Sequence, residues 1–87
     1  MENNIPLDLY RIFCAVVRAG NMSSAAKELF ISQPAVSMSI RQLEERMGAP
    51  LLIRTAKGVH TTPEGGMLFE YLDQALMLIA TAENKFM

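Results

Sequence analysis

The sequence predicts a mainly α-helical fold with three short helices, a small two-stranded hairpin and a long fourth helix. Apolar side chains recur at helical spacing in four segments, and each segment is bounded by cap residues, glycine or proline. Between the third and fourth segments, two short runs of β-prone residues flank a turn that contains glycine. A chain of 87 residues forms one domain at most, and its balance of apolar and charged residues is that of a globular protein.

The first two helices are delimited by residues that begin or end helices. Pro6 and Asp8 open the first helix, and Gly20 ends it because glycine readily adopts the left-handed conformation of a helix C-terminus. Ser23 is a good N-cap for a short second helix that ends near Phe30. The apolar residues of the first helix follow helical spacing and form the face that we expect to be buried: Leu9, Ile12, Phe13, Val16 and Val17.

The third helix is expected to begin after a cap at Ser32 or Gln33 and to run to about Met47, where Gly48 ends it. Proline is tolerated in its first turn, because the missing N–H has no partner there. A helical wheel gives this helix a buried stripe: Val36, Ile40, Leu43 and Met47. The opposite face carries short or polar side chains and a single base: Gln33, Pro34, Ser37, Met38 and Arg41.

A hairpin and a long helix complete the chain. Residues 51–55 and 59–62 read as two short strands around a turn that contains Gly58, so the hairpin covers about 51–62. Thr62, Pro63 and Glu64 form a strong helix start, with a cap, a proline at the first position and an acid at the positive end of the helix dipole. We expect the fourth helix to run to the end of the chain.

The exposed face of the third helix has the chemistry needed to read base edges in DNA. Gln33 can form a bidentate pair with adenine, and Arg41 can reach guanine or a phosphate. Pro34 or Met38 can pack on a thymine methyl group, while the Ser37 hydroxyl can donate or accept a hydrogen bond. The alternative interpretation is a solvated helix face, which polar helix positions usually form.

Four further residues are candidates for contacts with the DNA backbone. Ser23 and Ser32 lie at helix N-termini, where hydroxyl and backbone N–H groups bind phosphates. Arg54 and Lys57 lie on the hairpin, where they can reach a phosphate or the minor groove. Charges on a hairpin can instead protect exposed strand edges, and that alternative stays open for both residues.

The net charge of −1 is an argument against a nucleic-acid partner, but the charge is unevenly distributed. Residues 21–62 carry five basic and three acidic side chains, which gives this part of the chain a net charge of +2. From residue 63 onward one base faces four acids, a net charge of −3. The acidity therefore lies in the fourth helix, away from the expected DNA surface.

Several classes of function and location are disfavoured by what the sequence lacks. It contains no pair of catalytic carboxylates, no Ser/His/Asp set, no phosphate-binding glycine loop and no metal-ligand cluster, so we expect neither an enzyme nor a bound metal or cofactor. The single Cys14 is expected in the core, and His60 on a solvated strand. No segment is apolar and long enough for export or for a membrane span, so we expect a cytoplasmic protein.

Six segments of the sequence, in order and with the expected spacing, resemble the LysR-type transcriptional regulators of bacteria. The resemblance covers nearly the whole chain, which makes it far more specific than one short motif. The matching segments are MSSAAKEL at 22–29, ISQPAVS at 31–37, IRQLEE at 40–45, GAPLL at 48–52, RT at 54–55 and TPEG at 62–65.

The resemblance implies a winged helix-turn-helix in residues 1–62, with the helix-turn-helix at about 22–41 and the wing at about 51–62. It further implies that a recognition helix at 33–47 enters the major groove of double-stranded DNA and that the wing approaches the minor groove. It also implies a larger C-terminal domain that senses a small-molecule inducer, which this sequence does not contain. Many members have arginine where this chain has Met38, so a shifted base preference is expected.

The fourth helix, at 63–87, is expected to join two copies into a homodimer. At this length it spans about 36 Å, which is more than a body of this size readily covers. A dimer would bind an interrupted palindrome, and a tetramer of the full-length protein stays open. The residues expected at the interface form one stripe: Leu68, Tyr71, Leu72, Ala75, Ile79, Ala82 and Phe86. The alternative function is a protein-interaction module that uses this helix and does not bind DNA.

Overall fold

The structure, a computed structural model, describes residues 4–87, so the first three residues of the predicted DNA-binding part lie outside it. Four helices and one antiparallel hairpin follow one another in the predicted order, and the predicted fold class is confirmed. No helix in this range has the length and apolar character needed to cross a membrane. The elements are α1 Leu7–Ala19, α2 Met22–Leu29, α3 Gln33–Met47, β1 Leu52–Thr55, β2 Gly58–Thr61 and α4 Pro63–Asn84.

Most helix ends lie where the sequence placed them. Gly20 and Gly48 adopt left-handed conformations with φ of 81° and 74°, and they end α1 and α3. Ser32 caps α3, since its Oγ accepts a hydrogen bond from the Ala35 N–H at 3.2 Å. α4 begins at the predicted cap, Thr62, but its helical conformation ends at Asn84, three residues before the end of the chain.

The start of α2 corrects one prediction. The N-cap is Asn21 and not Ser23, because the extended backbone of Asn21 lets its Oδ1 accept a hydrogen bond from the Ser24 N–H at 2.7 Å. Ser23 consequently lies inside the first turn of α2, with its side chain exposed.

The core lies where α1, α2 and α3 meet. Phe13, Val16 and Cys14 of α1 are fully buried, and Ala25 of α2 is small enough to lie at the centre of this packing. The predicted stripe of α3 is confirmed, since Val36, Ile40 and Leu43 are buried and Met47 is partly buried. Burial of side chains this large contributes about 1.5–3 kcal/mol each, so this contact accounts for much of the stability of the domain.

The hairpin is attached to the three helices at both ends. Its strands pair from Leu52 opposite Thr61 to Thr55 opposite Gly58. The Val59 N–H donates to the Gly20 carbonyl at 2.8 Å, and a Cβ on Gly58 would lie 2.5 Å from the same oxygen. At the other end, the Glu44 carboxylate accepts hydrogen bonds from the Leu51 and Leu52 N–H groups at 2.8 and 3.2 Å.

α4 packs against α1 through a segment that ends at Leu76. Leu68, Phe69, Leu72 and Leu76 are partly buried against the core. Arg18 of α1 forms an ion pair with Asp73 and lies 5.8 Å from the centre of the Phe69 ring. Residues 80–87 are exposed, so the end of α4 extends beyond the body of the domain. The division of the chain at residue 62 into two functional parts stays a prediction.

Candidate nucleic-acid interface

The five predicted base-contacting residues lie together on the face of α3 that points away from the core. Four of them are exposed, namely Gln33, Pro34, Met38 and Arg41, and Ser37 is half-buried. Met38 leaves 58% of its surface exposed, which is a large apolar area for a helix of this size. The major groove of B-DNA admits one α-helix, which can turn a face of this kind toward the base edges. Their contacts with bases stay a prediction.

The first turn of α3 is shaped by its cap. Because Ser32 Oγ accepts a hydrogen bond from Ala35, its O–H remains able to donate. The first N–H groups of a helix have no partner within the helix, and they carry the positive end of the helix dipole. Ser23 lies at the corresponding end of α2. Both serines are therefore placed where a helix N-terminus can bind a phosphate, and both contacts stay predictions.

Arg54 lies closer to α3 than the sequence indicated. Its Nη2 donates a hydrogen bond to Ser37 Oγ at 3.1 Å, so the first strand of the hairpin places its guanidinium beside the exposed face of α3. Lys57 lies in the turn, where its N–H donates to Thr55 Oγ1 at 3.2 Å and its side chain is exposed. The predicted wing bases thus occupy two different places, one beside the recognition face and one at the tip of the hairpin.

The distribution of charge on this surface favours a polyanion. Arg41, Arg54 and Lys57 are all exposed around α3 and the hairpin, whereas the exposed acid of α3, Glu45, lies near its C-terminal end. Glu44 is half-buried, and its carboxylate is occupied by the backbone N–H groups of Leu51 and Leu52. Arg46 donates to the Asn4 carbonyl at 2.8 Å, at the far end of α3. The Glu44 carboxylate therefore has a structural role, because it holds the residues at the start of the hairpin to α3.

Cys14 and His60 lie where the sequence placed them, in the core and on an exposed strand respectively. Cys14 is fully buried, and burial raises the pKa of its thiol, although the nearby Arg18 opposes this shift. A neutral buried thiol is a poor nucleophile, as expected for a core residue. His60 is exposed on β2. Within residues 4–87, no group of three or more His, Cys, Asp or Glu side chains could hold a metal ion.

Only part of the predicted dimer stripe is available to a second chain. Tyr71, Ala75, Ala82 and Phe86 are exposed, whereas Leu68 and Leu72 are partly buried against the core of their own chain. Ile79 is half-buried. Two apolar residues outside the predicted stripe, Met67 and Leu78, leave 58% and 70% of their surface exposed.

Sequence reasoning missed one unusual residue in the turn between α2 and α3. Phe30 has a positive φ of 59° and leaves 95% of its side chain exposed. Glycine is the usual residue at such a helix end, because a Cβ disfavours the left-handed conformation. The position of Phe30 directly after a predicted helix was a signal of this conformation, but not of the exposure.

The sequence is similar to those of bacterial transcription regulators. Residues 7–66 match the family model described as bacterial regulatory helix-turn-helix protein, lysR family. A carbapenem-hydrolyzing β-lactamase transcriptional activator of Enterobacter cloacae is 37% identical over 86 residues, which are 99% of this chain and 29% of that protein. A probable cat1 operon transcriptional activator of Acinetobacter lwoffii is 45% identical over 75 residues, 86% of this chain and 24% of that protein.

Two solved structures with a similar fold are DNA-binding domains in complex with DNA. The BenM DNA-binding domain in complex with catB site 1 DNA has a TM-score of 0.88 and 35% identity, and the match covers 94% of this chain and 91% of that one. The CbnR DNA-binding domain in complex with DNA has a TM-score of 0.83 and 32% identity, and the match covers 93% of both chains. This chain spans less than a third of the length of the curated relatives described above.

Proposed function

The chain belongs to the lysR family of bacterial regulatory helix-turn-helix proteins and is a sequence-specific DNA-binding domain of that family, and we propose how it reads DNA. α3 enters the major groove with Gln33, Pro34, Ser37, Met38 and Arg41 toward the bases. Ser23 and Ser32 bind phosphates at helix N-termini, and Lys57 at the tip of the hairpin reaches a phosphate or the minor groove. Such a regulator acts on the bacterial chromosome, so we propose that it works in the cytoplasm.

One observation carries this proposal. The exposed face of α3 and the Arg54 side chain form a continuous surface, joined by the hydrogen bond between Arg54 and Ser37. That surface carries the positive charge of Arg54, and the first two turns of α3 contain no carboxylate. A helix face that only meets water can carry carboxylates, whereas carboxylates on a face that meets phosphates would be repelled by them.

The proposal is tested by selecting bound sequences from a pool of random DNA duplexes and then titrating the selected duplex across salt concentrations. We expect one enriched sequence, with a logarithm of affinity that falls linearly as the logarithm of salt concentration rises, because each phosphate contact releases counterions. Folded protein that enriches no sequence and shows no salt-dependent binding would favour the protein-interaction module instead. An apolar contact through α4 would respond little to salt.

Met38 offers a test of base reading. Its exposed thioether side chain can pack on a thymine methyl group but cannot donate to guanine. We expect Met38→Arg to move the preference at one position of each half-site from thymine toward guanine in the same selection. An unchanged selected sequence would show that Met38 does not read a base.

We further propose that two copies pair through α4. Six exposed apolar residues form a stripe along this helix, while the exposed Met77 and Ala80 lie on another face. The stripe consists of Met67, Tyr71, Ala75, Leu78, Ala82 and, just beyond the helix end, Phe86. This stripe lies about 100° around the helix from the residues that pack on α1. An exposed apolar band of this length is expensive in water, and a two-fold contact between identical chains is the simplest way to bury it.

The spacing of the stripe favours antiparallel pairing. It reads the same in both directions about a midpoint between Leu76 and Met77, and each large residue then faces a small or flexible one. Tyr71 faces Ala82 of the second copy, Leu78 faces Ala75, and Phe86 faces Met67. Parallel pairing would place like against like, Tyr71 on Tyr71 and alanine on alanine, and would pack poorly. An apolar groove lies at the start of α4, between Leu51 and Met67, where the second copy's Phe86 would lie.

Two adjacent residues provide a matched test of this dimer. Leu78 and Met77 are similarly exposed, at 70% and 62%, but they point about 100° apart around α4. We expect Leu78→Glu to give a monomer in analytical ultracentrifugation and to weaken binding to a palindromic duplex, since only one half-site can then be held per chain. Met77→Glu serves as the control and should leave the dimer intact. Equal effects of the two substitutions would contradict this interface.

The small-molecule inducer is a separate proposal about the full-length protein. We propose that a larger domain outside these residues binds an inducer and alters the spacing of the two α4-linked DNA-binding domains. Affinity of the full-length protein for the selected duplex would then change with the inducer, whereas affinity of the 87-residue chain would not. An inducer effect on the short chain would contradict this assignment.

A further inference from the structure

The hydrogen bond between Arg54 and Ser37 joins two segments that are distant in the sequence. Ser37 lies in the second turn of α3, next to the fully buried Val36, and Arg54 lies on β1 opposite Val59. The Arg54 Nη2 group donates to Ser37 Oγ at 3.1 Å. The two residues therefore meet on the DNA-facing side of the domain.

The fold keeps these two residues close. Glu44 of α3 accepts hydrogen bonds from the Leu51 and Leu52 N–H groups, which fixes the start of β1 against the helix. The Val59 N–H donates to the Gly20 carbonyl, which holds the other strand to the α1–α2 turn. Because both strands are attached, Arg54 needs only to order its own side chain to reach Ser37.

The bond changes what Ser37 can recognise. A free serine hydroxyl both donates and accepts, so it distinguishes bases poorly. With one lone pair taken by Arg54 and the guanidinium beside it, the hydroxyl is left chiefly as a donor. The remaining guanidinium N–H groups are also donors, and Arg has no acceptor. The two side chains together present donors and a positive charge.

Donors of this kind fit one base edge best. In the major groove guanine offers two acceptors, N7 and O6, whereas adenine and cytosine each present an amino group that would face another donor. Thymine offers a single acceptor beside an apolar methyl group. A phosphate is also an acceptor, but Ser37 lies one turn beyond Gln33 and between Pro34 and Arg41 along α3, on the part of the helix that meets base edges when a recognition helix lies in the major groove.

We propose that Ser37 and Arg54 act as one specificity-determining unit that selects a guanine in each half-site. This inference rests on the proposed mode of DNA binding, and it gives Arg54 a role in the major groove in place of the expected wing contact with a phosphate or the minor groove. Lys57 keeps that latter role at the tip of the hairpin. Either member of the unit depends on the other, so removal of one leaves the guanine poorly read.

The test compares selected sequences and affinities for the unchanged chain, Ser37→Ala, Arg54→Lys and the double variant. Arg54→Lys keeps the charge and removes the planar fork that reaches both Ser37 and guanine. We expect both single variants to lose guanine preference at the same position, and the double variant to lose no more than the larger single loss. Non-additivity of about fivefold in affinity is expected for residues in one hydrogen-bond network. Lys57→Ala is the matched control, expected to weaken binding to all sequences alike.

Several results would overturn the inference. They are loss of preference at two different positions, fully additive losses, a preferred base other than guanine, or a uniform loss of affinity without any change in preference, which would indicate a phosphate contact. Circular dichroism checks that each variant is folded. An unchanged chain that enriches no sequence would overturn the proposed mode of binding itself, so the two failures are distinguishable.

Discussion

Gly65 is buried in the first turn of α4, and replacing it with alanine should destabilise the fold. A Cβ at this position would overlap the carbonyl oxygen of Leu51, well inside van der Waals contact, and the neighbouring backbone atoms are also close. The Leu51 carbonyl cannot move easily, because it accepts a hydrogen bond from the Thr62 N–H at 3.0 Å. The start of α4 would have to shift away from the hairpin.

The expected loss follows from the contacts that this shift would break. Overpacking in a tight site costs about 1–3 kcal/mol. The Gly65 N–H also donates to Thr62 Oγ1 at 3.0 Å, and Thr62 Oγ1 donates to the Pro50 carbonyl at 2.7 Å, so movement weakens two hydrogen bonds worth about 1 kcal/mol each. Better helix propensity of alanine returns about 1 kcal/mol. A net loss of about 2–4 kcal/mol is a large part of the stability of a small domain.

Gly66 provides a matched control in the same turn of α4. A Cβ on Gly66 would meet only Thr61 Oγ1 at 3.4 Å, so Gly66→Ala gains propensity without a clash. In urea unfolding followed by circular dichroism at fixed protein concentration, we expect the midpoint to fall for Gly65→Ala and to hold or rise for Gly66→Ala. The concentration is fixed because a dimer gains stability by mass action. A Gly65→Ala midpoint at or above that of Gly66→Ala would refute the reasoning.

Three other perturbations test separate parts of the structure. Phe30→Gly should raise the free energy of unfolding by about 1 kcal/mol, because it removes a left-handed non-glycine residue and loses almost no packing; a lower urea midpoint would contradict this. Glu44→Ala should cost about 2–3 kcal/mol by leaving two N–H groups without their acceptor, while the exposed Glu45→Ala changes the midpoint little. Burial raises the pKa of Cys14, so N-ethylmaleimide should label this thiol only in urea. Because the thiol ionises at a lower pH in the unfolded chain than in the folded one, the free energy of unfolding should fall as pH rises past the ordinary thiol pKa.

Helix boundaries were predictable because the residues that set them act locally. Gly20 and Gly48 end helices through their own backbone conformations, and Thr62 caps α4 through a hydrogen bond to a residue three positions later. The prediction of Ser23 as the cap of α2 was wrong, and residue type could not have corrected it, because serine and asparagine are equally good caps. Only the extended backbone of Asn21 decides between them, and that follows from how α1 ends.

The contacts that organise the interface were not predictable, because they join segments far apart in the sequence. Arg54 reaches Ser37 only when the hairpin is docked on α3, and Arg18 meets Asp73 only when α4 lies along α1. Nothing in the residues next to Glu44 predicts that its carboxylate accepts hydrogen bonds from the backbone N–H groups at the start of the hairpin. Leu68 and Leu72 share a helix with exposed apolar residues, and periodicity alone cannot tell which chain buries them.

These long-range contacts give one explanation for how a domain with so small a core would hold side chains in the positions that the proposed base reading requires. Each strand of the hairpin is tied to a different helical segment, the first to α3 through Glu44 and the second to the α1–α2 turn through Gly20. A hairpin attached at two places moves less than a flexible loop does, so its side chains are held more precisely. Precise positions are needed to read base edges but not for general attraction to phosphates. Loss of the Glu44 hydrogen bonds, as in Glu44→Ala, should therefore reduce the sequence preference in the selection more than it reduces the affinity for DNA. The electrostatic part of the affinity does not depend on the angle of the hairpin.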